Sequence, residues 1–170
     1  RGTTLKRSIL EILGRSKPTK LLIASTAPQI RYPDCYGIDM SELGKFIAFQ
    51  AAIALIKEKG YHGLLSEVAI KCKEALKDSK SKLENQVKRV YENFTASEIS
   101  AKVAQLVTPE CLNETTEVEV VYQSIENLHE ALPNHLGDWY FTGDYPTPGG
   151  YRVVHKAFLN FYENKDGRSY

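Results

Sequence analysis

The sequence RGTTLKRSILEILG, residues 1–14, is followed after a short gap by KLLIAST, residues 20–26. In the first stretch apolar residues recur three or four positions apart, at Leu5, Ile9, Ile12 and Leu13. This spacing predicts an amphipathic helix from Thr4 to about Arg15. The second stretch is a short apolar run between polar residues, which is typical of a buried strand in a parallel sheet. A helix that leads into such a strand predicts an α/β fold.

The predicted helix begins on a glycine and two threonines. Thr3 and Thr4 are expected to cap it, because hydroxyl oxygens at a helix start accept from its free backbone N–H groups. The same N–H groups, together with the helix dipole, can instead hold a phosphate. From these residues alone, an ordinary helix start and a phosphate site both remain open.

The stretch APQIRYPDCYGID, residues 27–39, has two prolines, a glycine and no regular period, so it is predicted to be a loop. In open α/β sheets ligands bind beside loops of this kind, which follow the carboxyl end of a strand. Tyr36 and Asp39 are therefore candidates for contact with a nucleotide or a ribose. Asp39 has a second interpretation, because with Glu42 it forms a capping-box pattern for a helix that runs to about Lys59.

The rest of the chain is predicted from periodicity and caps. Residues 61–110 form a helical block with helices over 64–78, 80–94 and 96–108, and Thr95 with Glu98 makes a capping box for the last. In TEVEVVYQS, residues 116–124, Glu117 and Glu119 alternate with Val118 and Val120, which indicates a strand, and Ser124 opens a short helix. Residues 133–151 are rich in proline, glycine and aromatic side chains and are predicted to be neither helix nor central strand. Helical spacing resumes over 152–163.

Composition limits the function classes. The chain has 22 basic and 21 acidic side chains, a net charge of +1, so it lacks the basic field of a nucleic-acid or membrane-surface protein. Cys35, Cys72 and Cys111 are widely spaced and contain no C-x-x-C pair, which argues against disulfides and a closed metal site. A reducing, cytoplasmic location is expected.

Three strings occur in the order RGTT (1–4), YPDCYGIDM (32–40) and FTGDYPT (141–147). Together they resemble signatures of the amidophosphoribosyltransferases, a family of type I phosphoribosyltransferases. The resemblance covers residues 1 to about 60 and about 111 to 150. It implies a partial type I phosphoribosyltransferase sheet over 1–60, a largely helical insertion over 61–110, and the end of the domain with a tail over 111–170.

The resemblance also implies an activity. Ammonia from glutamine would displace pyrophosphate from phosphoribosyl pyrophosphate, with Mg²⁺ accompanying that substrate, and purine nucleotides would be further ligands. Arg1, Gly2, Thr3 and Thr4 would hold the 5′-phosphate. The family's acidic pair and its N-terminal glutaminase domain would precede Arg1, so no catalytic residue is expected in this chain. The isolated piece is expected to be inactive and, with an uncovered sheet edge, to form homo-oligomers.

Some members of that family carry an iron–sulfur cluster, and the resemblance locates three of its cysteine positions. This sequence has Asp34, Gly137 and Tyr140 there, and Cys35 is one residue out of register, so no cluster is expected. The histidines lie far apart without ligand spacing, and no metal site is expected at His62, His129, His135 or His155. Residues 139–141 either stack on a base or anchor a long loop.

Two alternatives remain at this point. The chain could belong to a regulatory or pyrimidine phosphoribosyltransferase, which would share RGTT but gives no reason for the other two strings. It could also be a non-catalytic helical interaction or regulatory module appended to another phosphoribosyltransferase, in which case residues 61–110 would carry the function.

Overall fold

A computed structural model describes residues 2–34, 40–77, 84–113, 115–134 and 137–165. A π-helical stretch, Leu5–Ile9, continues into helix α1, Leu10–Gly14. The remaining elements are, in order, β1 (Lys20–Ser25), a 3-10 helix (Leu43–Lys45), α2 (Ile47–Glu58), α3 (Leu64–Lys77), a 3-10 helix (Gln86–Val90), α4 (Ala96–Val107), β2 (Glu117–Tyr122), α5 (Ile125–Ala131), α6 (Trp139–Thr142) and α7 (Pro148–Tyr162). The predicted α/β class is confirmed. Among the described residues, no helix combines the length and apolar character needed to span a bilayer.

Strands β1 and β2 pair in parallel, from Lys20 opposite Glu117 to Ser25 opposite Tyr122. A long crossover containing α2, α3 and α4 joins them, as parallel strands require. The expectation of a parallel sheet is confirmed, but the expectation that β1 is a fully buried strand is wrong. Its residues alternate between exposed and half-buried, and Leu22 is 60% exposed. Only one face of the sheet packs against the helices of the described chain.

Helix α2 lies at the centre of the core. Its sequence IAFQAAIALIKE is apolar on nearly every side, and seven of its residues are buried. The ring of Phe49 meets Phe158 of α7 at 6.3 Å and Phe161 at 4.8 Å, both edge to face. Aromatic pairs of this geometry stabilise a core beyond the area they bury. Helix α4 packs against both α2 and β2, so it connects the helical block to the sheet.

The predicted start of α2 is wrong. Asp39 lies outside the described residues, and Glu42 has an extended backbone with φ −103° and ψ 91°. The helix begins at Ile47, eight residues after the expected cap. Leu43 and Phe46 are both buried at that point, and a 3-10 turn places both side chains in the core before the helix starts. The predicted end is confirmed, since α2 stops at Glu58 and Gly60 follows with φ +74°.

Two further expectations fail for tertiary reasons. In the described part of 80–94 the chain forms only the 3-10 helix Gln86–Val90. The Asn85 side chain accepts from the backbone N–H of Val87 at 3.0 Å and donates to the carbonyl oxygen of Gly143 at 3.1 Å, and these bonds replace those of a longer helix.

The segment 133–151, which the sequence predicts to contain no helix, contains α6 and the first four residues of α7. Thr147 caps α7, and Pro148 at its first position fits the helix start. The caps predicted at Thr95 and Ser124 are confirmed.

Candidate functional site

A cleft of about 730 Å³ lies where the start of the first helix meets the carboxyl ends of both strands. Gly2, Thr3 and Thr4 line it together with Ser25 and Tyr122, the last residues of β1 and β2. Its remaining walls are apolar and come from Leu5, Ile9, Ile23, Ile47, Val103, Val107 and Val120. The carboxyl edge of parallel strands is where α/β proteins bind their ligands.

Gly2 fixes the shape of this cleft. Its φ is +75°, which L side chains rarely adopt, and its carbonyl oxygen accepts from the N–H of Lys6 at 2.9 Å. A Cβ added there would lie 3.2 Å from Ile47 Cδ1 and 3.3 Å from Val107 Cγ1. The backbone therefore turns into the helix in close contact with α2 and α4, and only glycine satisfies both the turn and the approach.

The threonines act differently from the caps that the sequence predicts. Thr4 already has helical backbone angles, φ −63° and ψ −40°, and makes no side-chain capping bond, so the capping expectation is wrong at Thr4. The reason is that Gly2 opens the helical turn, which places both threonines inside it. Thr3 and Thr4 are exposed, and their N–H groups precede the first backbone bond of the turn. Such N–H groups are available to an external acceptor.

The polar groups at the strand ends have different roles. The Ser25 hydroxyl donates to the carbonyl oxygen of Ala27 at 2.9 Å and therefore belongs to the turn after β1. Tyr122 is half-buried, and burial raises the pKa of its phenol, so this side chain stays neutral and keeps its O–H as a donor. Sequence reasoning missed both residues. The signal was their place as the last residue of each strand, but only the strand register shows that they are adjacent.

The loop after β1 is bonded to the segment around α6. Asp34 is 4% exposed, and its Oδ2 accepts from the Tyr140 hydroxyl at 2.5 Å and from Trp139 Nε1 at 3.2 Å. The Tyr140 carbonyl oxygen accepts from the N–H groups of Arg31 and Tyr32, at 2.9 and 3.1 Å. The Tyr145 hydroxyl donates to the carbonyl oxygen of Pro33. Trp139 and Tyr140 thus anchor a loop, the second of the two roles considered for residues 139–141.

The structure describes only some of the other residues that the sequence predicts for the site. Arg1, Tyr36 and Asp39 lie outside the described residues, as do Cys35 and His135. Within the described ranges no three histidine, cysteine, aspartate or glutamate side chains are grouped so that they could hold a metal ion. His129 pairs with Asp138 at 2.7 Å, and His155 is fully buried. Asp34 and Tyr140 occupy two of the three positions at which some members of the resembled family have cluster cysteines, and these two side chains are in direct contact.

The fold and the cleft define an α/β protein whose candidate site lies at the carboxyl edge of a parallel strand pair. Among curated proteins, the chain is similar to the amidophosphoribosyltransferase of Haemophilus influenzae, with 41% identity over 58 residues, which is 34% of this chain and 11% of the relative. It is also similar to the amidophosphoribosyltransferase of Pasteurella multocida, with 45% identity over 49 residues, 29% of this chain and 10% of the relative. No protein-family model and no solved structure matches.

Each match therefore spans about a tenth of the relative's length. At this extent the similarity supports an origin shared in part with amidophosphoribosyltransferases, a class of transferases.

Proposed function

We propose that the chain is the C-terminal part of an amidophosphoribosyltransferase and that Gly2–Thr4 form the end of its loop for the 5′-phosphate of phosphoribosyl pyrophosphate. One observation carries the proposal: these residues meet the last residues of both parallel strands in one cleft. The local similarity to two amidophosphoribosyltransferases supports the same assignment. A type I phosphoribosyltransferase sheet, of which β1 and β2 are two strands, follows from the proposal.

The residues of this cleft suit phosphate binding better than covalent catalysis. The N–H groups of Thr3, Thr4 and Leu5 would donate to the phosphate oxygens, the threonine hydroxyls would add donors, and Arg1 would lie beside them. Displacement of pyrophosphate at the anomeric carbon creates dispersed charge, so the main task is to hold the sugar in position. The carboxylates that contact the ribose hydroxyls would come from the chain before Arg1.

Magnesium is expected to enter with phosphoribosyl pyrophosphate. Within the described ranges no three potential ligand side chains are grouped, and Mg²⁺ in such sites is commonly held by substrate phosphates with one or two carboxylates. The contribution that we propose for the described residues is to bind and orient the sugar phosphate.

The helical block does not stand apart from this site. Val103 and Val107 of α4, which lies within the predicted insertion 61–110, line the cleft, and α4 packs on β2. If residues 61–110 were an independent interaction module, we would not expect one of its helices to pack on β2 and to line this cleft. We therefore favour the phosphoribosyltransferase assignment over the helical-module alternative.

The test uses the parent protein that carries this chain, assayed for release of pyrophosphate from phosphoribosyl pyrophosphate. Thr4→Val should raise KM for that substrate by about tenfold, since a hydrogen bond to a charged group contributes about 1.5 kcal/mol. The matched control is Thr115→Val, at an exposed threonine outside the cleft, which should leave KM unchanged. An unchanged KM in both variants, or no activity in the unsubstituted protein, would contradict the proposal.

A further inference from the structure

A second cleft, of about 480 Å³, lies beside the first and shares Val120 and Tyr122 with it as a common wall. Pro28, Gln29 and Arg31 come from the loop after β1, and Gln123 and Ser124 come from the chain after β2. The start of α4 and the start of α5 close the other sides. Its size lies in the range of ordinary small-molecule sites, about 300–1,000 Å³.

Arg31 is held in a fixed orientation at this cleft. Gln29 is 5% exposed, and its side-chain amide donates to the Ala96 carbonyl oxygen and to Ser100 Oγ, both at 2.8 Å. The Gln29 Oε1 in turn accepts from Arg31 Nε at 3.1 Å and from Arg31 Nη2 at 2.7 Å. The guanidinium also lies over the Tyr91 ring, 5.2 Å from its centroid. A buried amide and an aromatic face thus orient a cation on the cleft wall.

The partners that orient Arg31 are all uncharged. In the described part of the chain no carboxylate forms an ion pair with it, whereas Arg89 pairs with Glu67 at 3.3 Å. The bonds to Gln29 use Nε and one N–H of Nη2, so Nη1 and the other Nη2 hydrogen remain as a two-donor fork. That fork matches the two oxygens of a carboxylate or a phosphate.

The acidic groups at the cleft narrow the choice of ligand. Glu119 is already paired with Lys20 at 2.5 Å, which reduces its field. Glu126, at the rim, would repel a polyanion more strongly than a group of low charge. Phe94 and Ile125 add apolar wall, and Ser97 and Ser124 add hydroxyls, which suits an organic body attached to the anionic group.

We propose that this second cleft binds a small molecule through a carboxylate or a phosphate ester, with Arg31 as the residue that recognises the anionic group. The site is additional to the sugar-phosphate cleft at Gly2–Thr4. It does not depend on that assignment, because the two clefts share only Val120 and Tyr122 and Arg31 belongs to the second alone.

The experiment is an NMR titration of this chain, labelled with ¹⁵N, using inorganic phosphate in one series and acetate in the other. Saturable shifts are expected at Arg31 Nε–H and at the backbone N–H groups of Ser97 and Ser124. Arg31→Gln should weaken binding by at least about tenfold, because a charge-assisted pair is lost. Arg15→Gln removes an exposed arginine at the end of α1 and should leave the affinity unchanged.

The two series separate the sources of the anion: saturation by phosphate alone indicates a phosphate ester, and saturation by acetate alone indicates a carboxylate. Shifts confined to Gly2–Leu5, or no saturable shift in either series, would overturn the proposal and leave the first cleft untouched. If Arg31→Gln fails to fold, the shift map of the unsubstituted chain still decides, because the Arg31 Nε–H signal reports on the side chain itself.

Discussion

Asp34 shows how a single buried carboxylate can join two distant parts of this chain. It is 4% exposed and binds the side chains of Trp139 and Tyr140, more than a hundred positions later in the sequence. A double-mutant cycle tests the coupling. We expect Asp34→Asn and Tyr140→Phe each to lower the free energy of unfolding by about 1–3 kcal/mol, since each leaves buried polar groups poorly matched.

The coupling should appear as non-additivity of about 1 kcal/mol or more between the two substitutions, measured by urea unfolding. Tyr162→Phe, at a tyrosine that is 40% exposed, is the control and should change stability little. If the effects of Asp34→Asn and Tyr140→Phe simply add, the carboxylate and the phenol are not the link between these segments.

His155 predicts a pH dependence of stability. It is fully buried, its Nε2 accepts from the N–H of Gln86 at 3.2 Å, and its Nδ1 has no hydrogen-bond partner among the described residues. Burial lowers its pKa to about 4. The unfolded chain takes up this proton near pH 6.5, its ordinary value, so between about pH 6.5 and 4 the unfolded state binds more protons. Stability due to His155 is therefore complete above that window and is lost as pH falls through it.

The shift in the pKa of His155 from 6.5 to about 4 corresponds to about 3 kcal/mol in the free energy of unfolding. Urea unfolding at a series of pH values should show a flatter profile in this window for His155→Gln than for the unsubstituted chain. His62→Gln, at an exposed histidine, should keep the original slope. Their lysine partners lower the pKa of Glu98 and of Glu163 to about 2. The stability that these two carboxylates contribute is present above about pH 4.5 and is lost as the pH falls from there toward 2, mostly below the window of His155. Equal slopes in all three proteins would show that His155 is not the titrating group.

At the scale of elements, α4 depends on its cap. The Thr95 hydroxyl oxygen accepts from the N–H of Glu98 at 3.1 Å, and the Glu98 carboxylate accepts from the N–H of Thr95 at 2.8 Å. We expect Thr95→Ala to lower the free energy of unfolding by about 1 kcal/mol. Thr115→Ala, at a threonine outside any helix, is the matched control. Equal midpoints in chemical denaturation for the two variants would contradict the assigned cap.

The elements that could be predicted are those whose signals are local. The capping box at Thr95, the Ser124 cap and the two short strands are all present, because neighbouring residues alone decide them. The start of α2 and the 3-10 helix at Gln86–Val90 could not be predicted. Their causes are contacts distant in sequence, such as the bond from Asn85 to Gly143. Periodicity within one window does not contain that information.

The residues of the candidate site also fall into two groups, those with a local sequence signal and those that only the fold brings together. Gly2, Thr3 and Thr4 were recognisable because a glycine before a helix is a local pattern. Tyr122 and Ser25 join them only through the parallel register of β1 and β2, and Arg31 becomes a candidate only when Gln29, Ala96 and Ser100 are seen to hold it. The activity proposed for the chain rests on the family resemblance, and no periodicity could have replaced it.

At the scale of the whole molecule, several apolar side chains of the first helix and the sheet face solvent in the described structure. Ile12 is 57% exposed, Leu13 47% and Leu22 60%. β1 pairs with β2 on one edge, and within the described residues its other edge has no strand beside it. Exposed apolar surface next to an open strand edge favours association. We therefore expect this chain to self-associate when isolated.

Sedimentation velocity would measure this expectation directly. Leu22→Glu should shift the distribution toward the monomer, because it places a charge on the exposed sheet face. Leu132→Glu is the control, since Leu132 is 51% exposed and follows α5, outside the two strands. A monomer at all concentrations for the unsubstituted chain would contradict the prediction.

The most direct measurement for the whole account is a crystal structure of the parent protein with ribose 5-phosphate bound. We predict that the phosphate oxygens lie about 3 Å from the backbone nitrogens of Thr3 and Thr4, in the cleft that Ser25 and Tyr122 close at the strand ends. A phosphate bound elsewhere, with the Gly2–Thr4 turn unoccupied, would contradict the central claim that this turn holds a sugar phosphate.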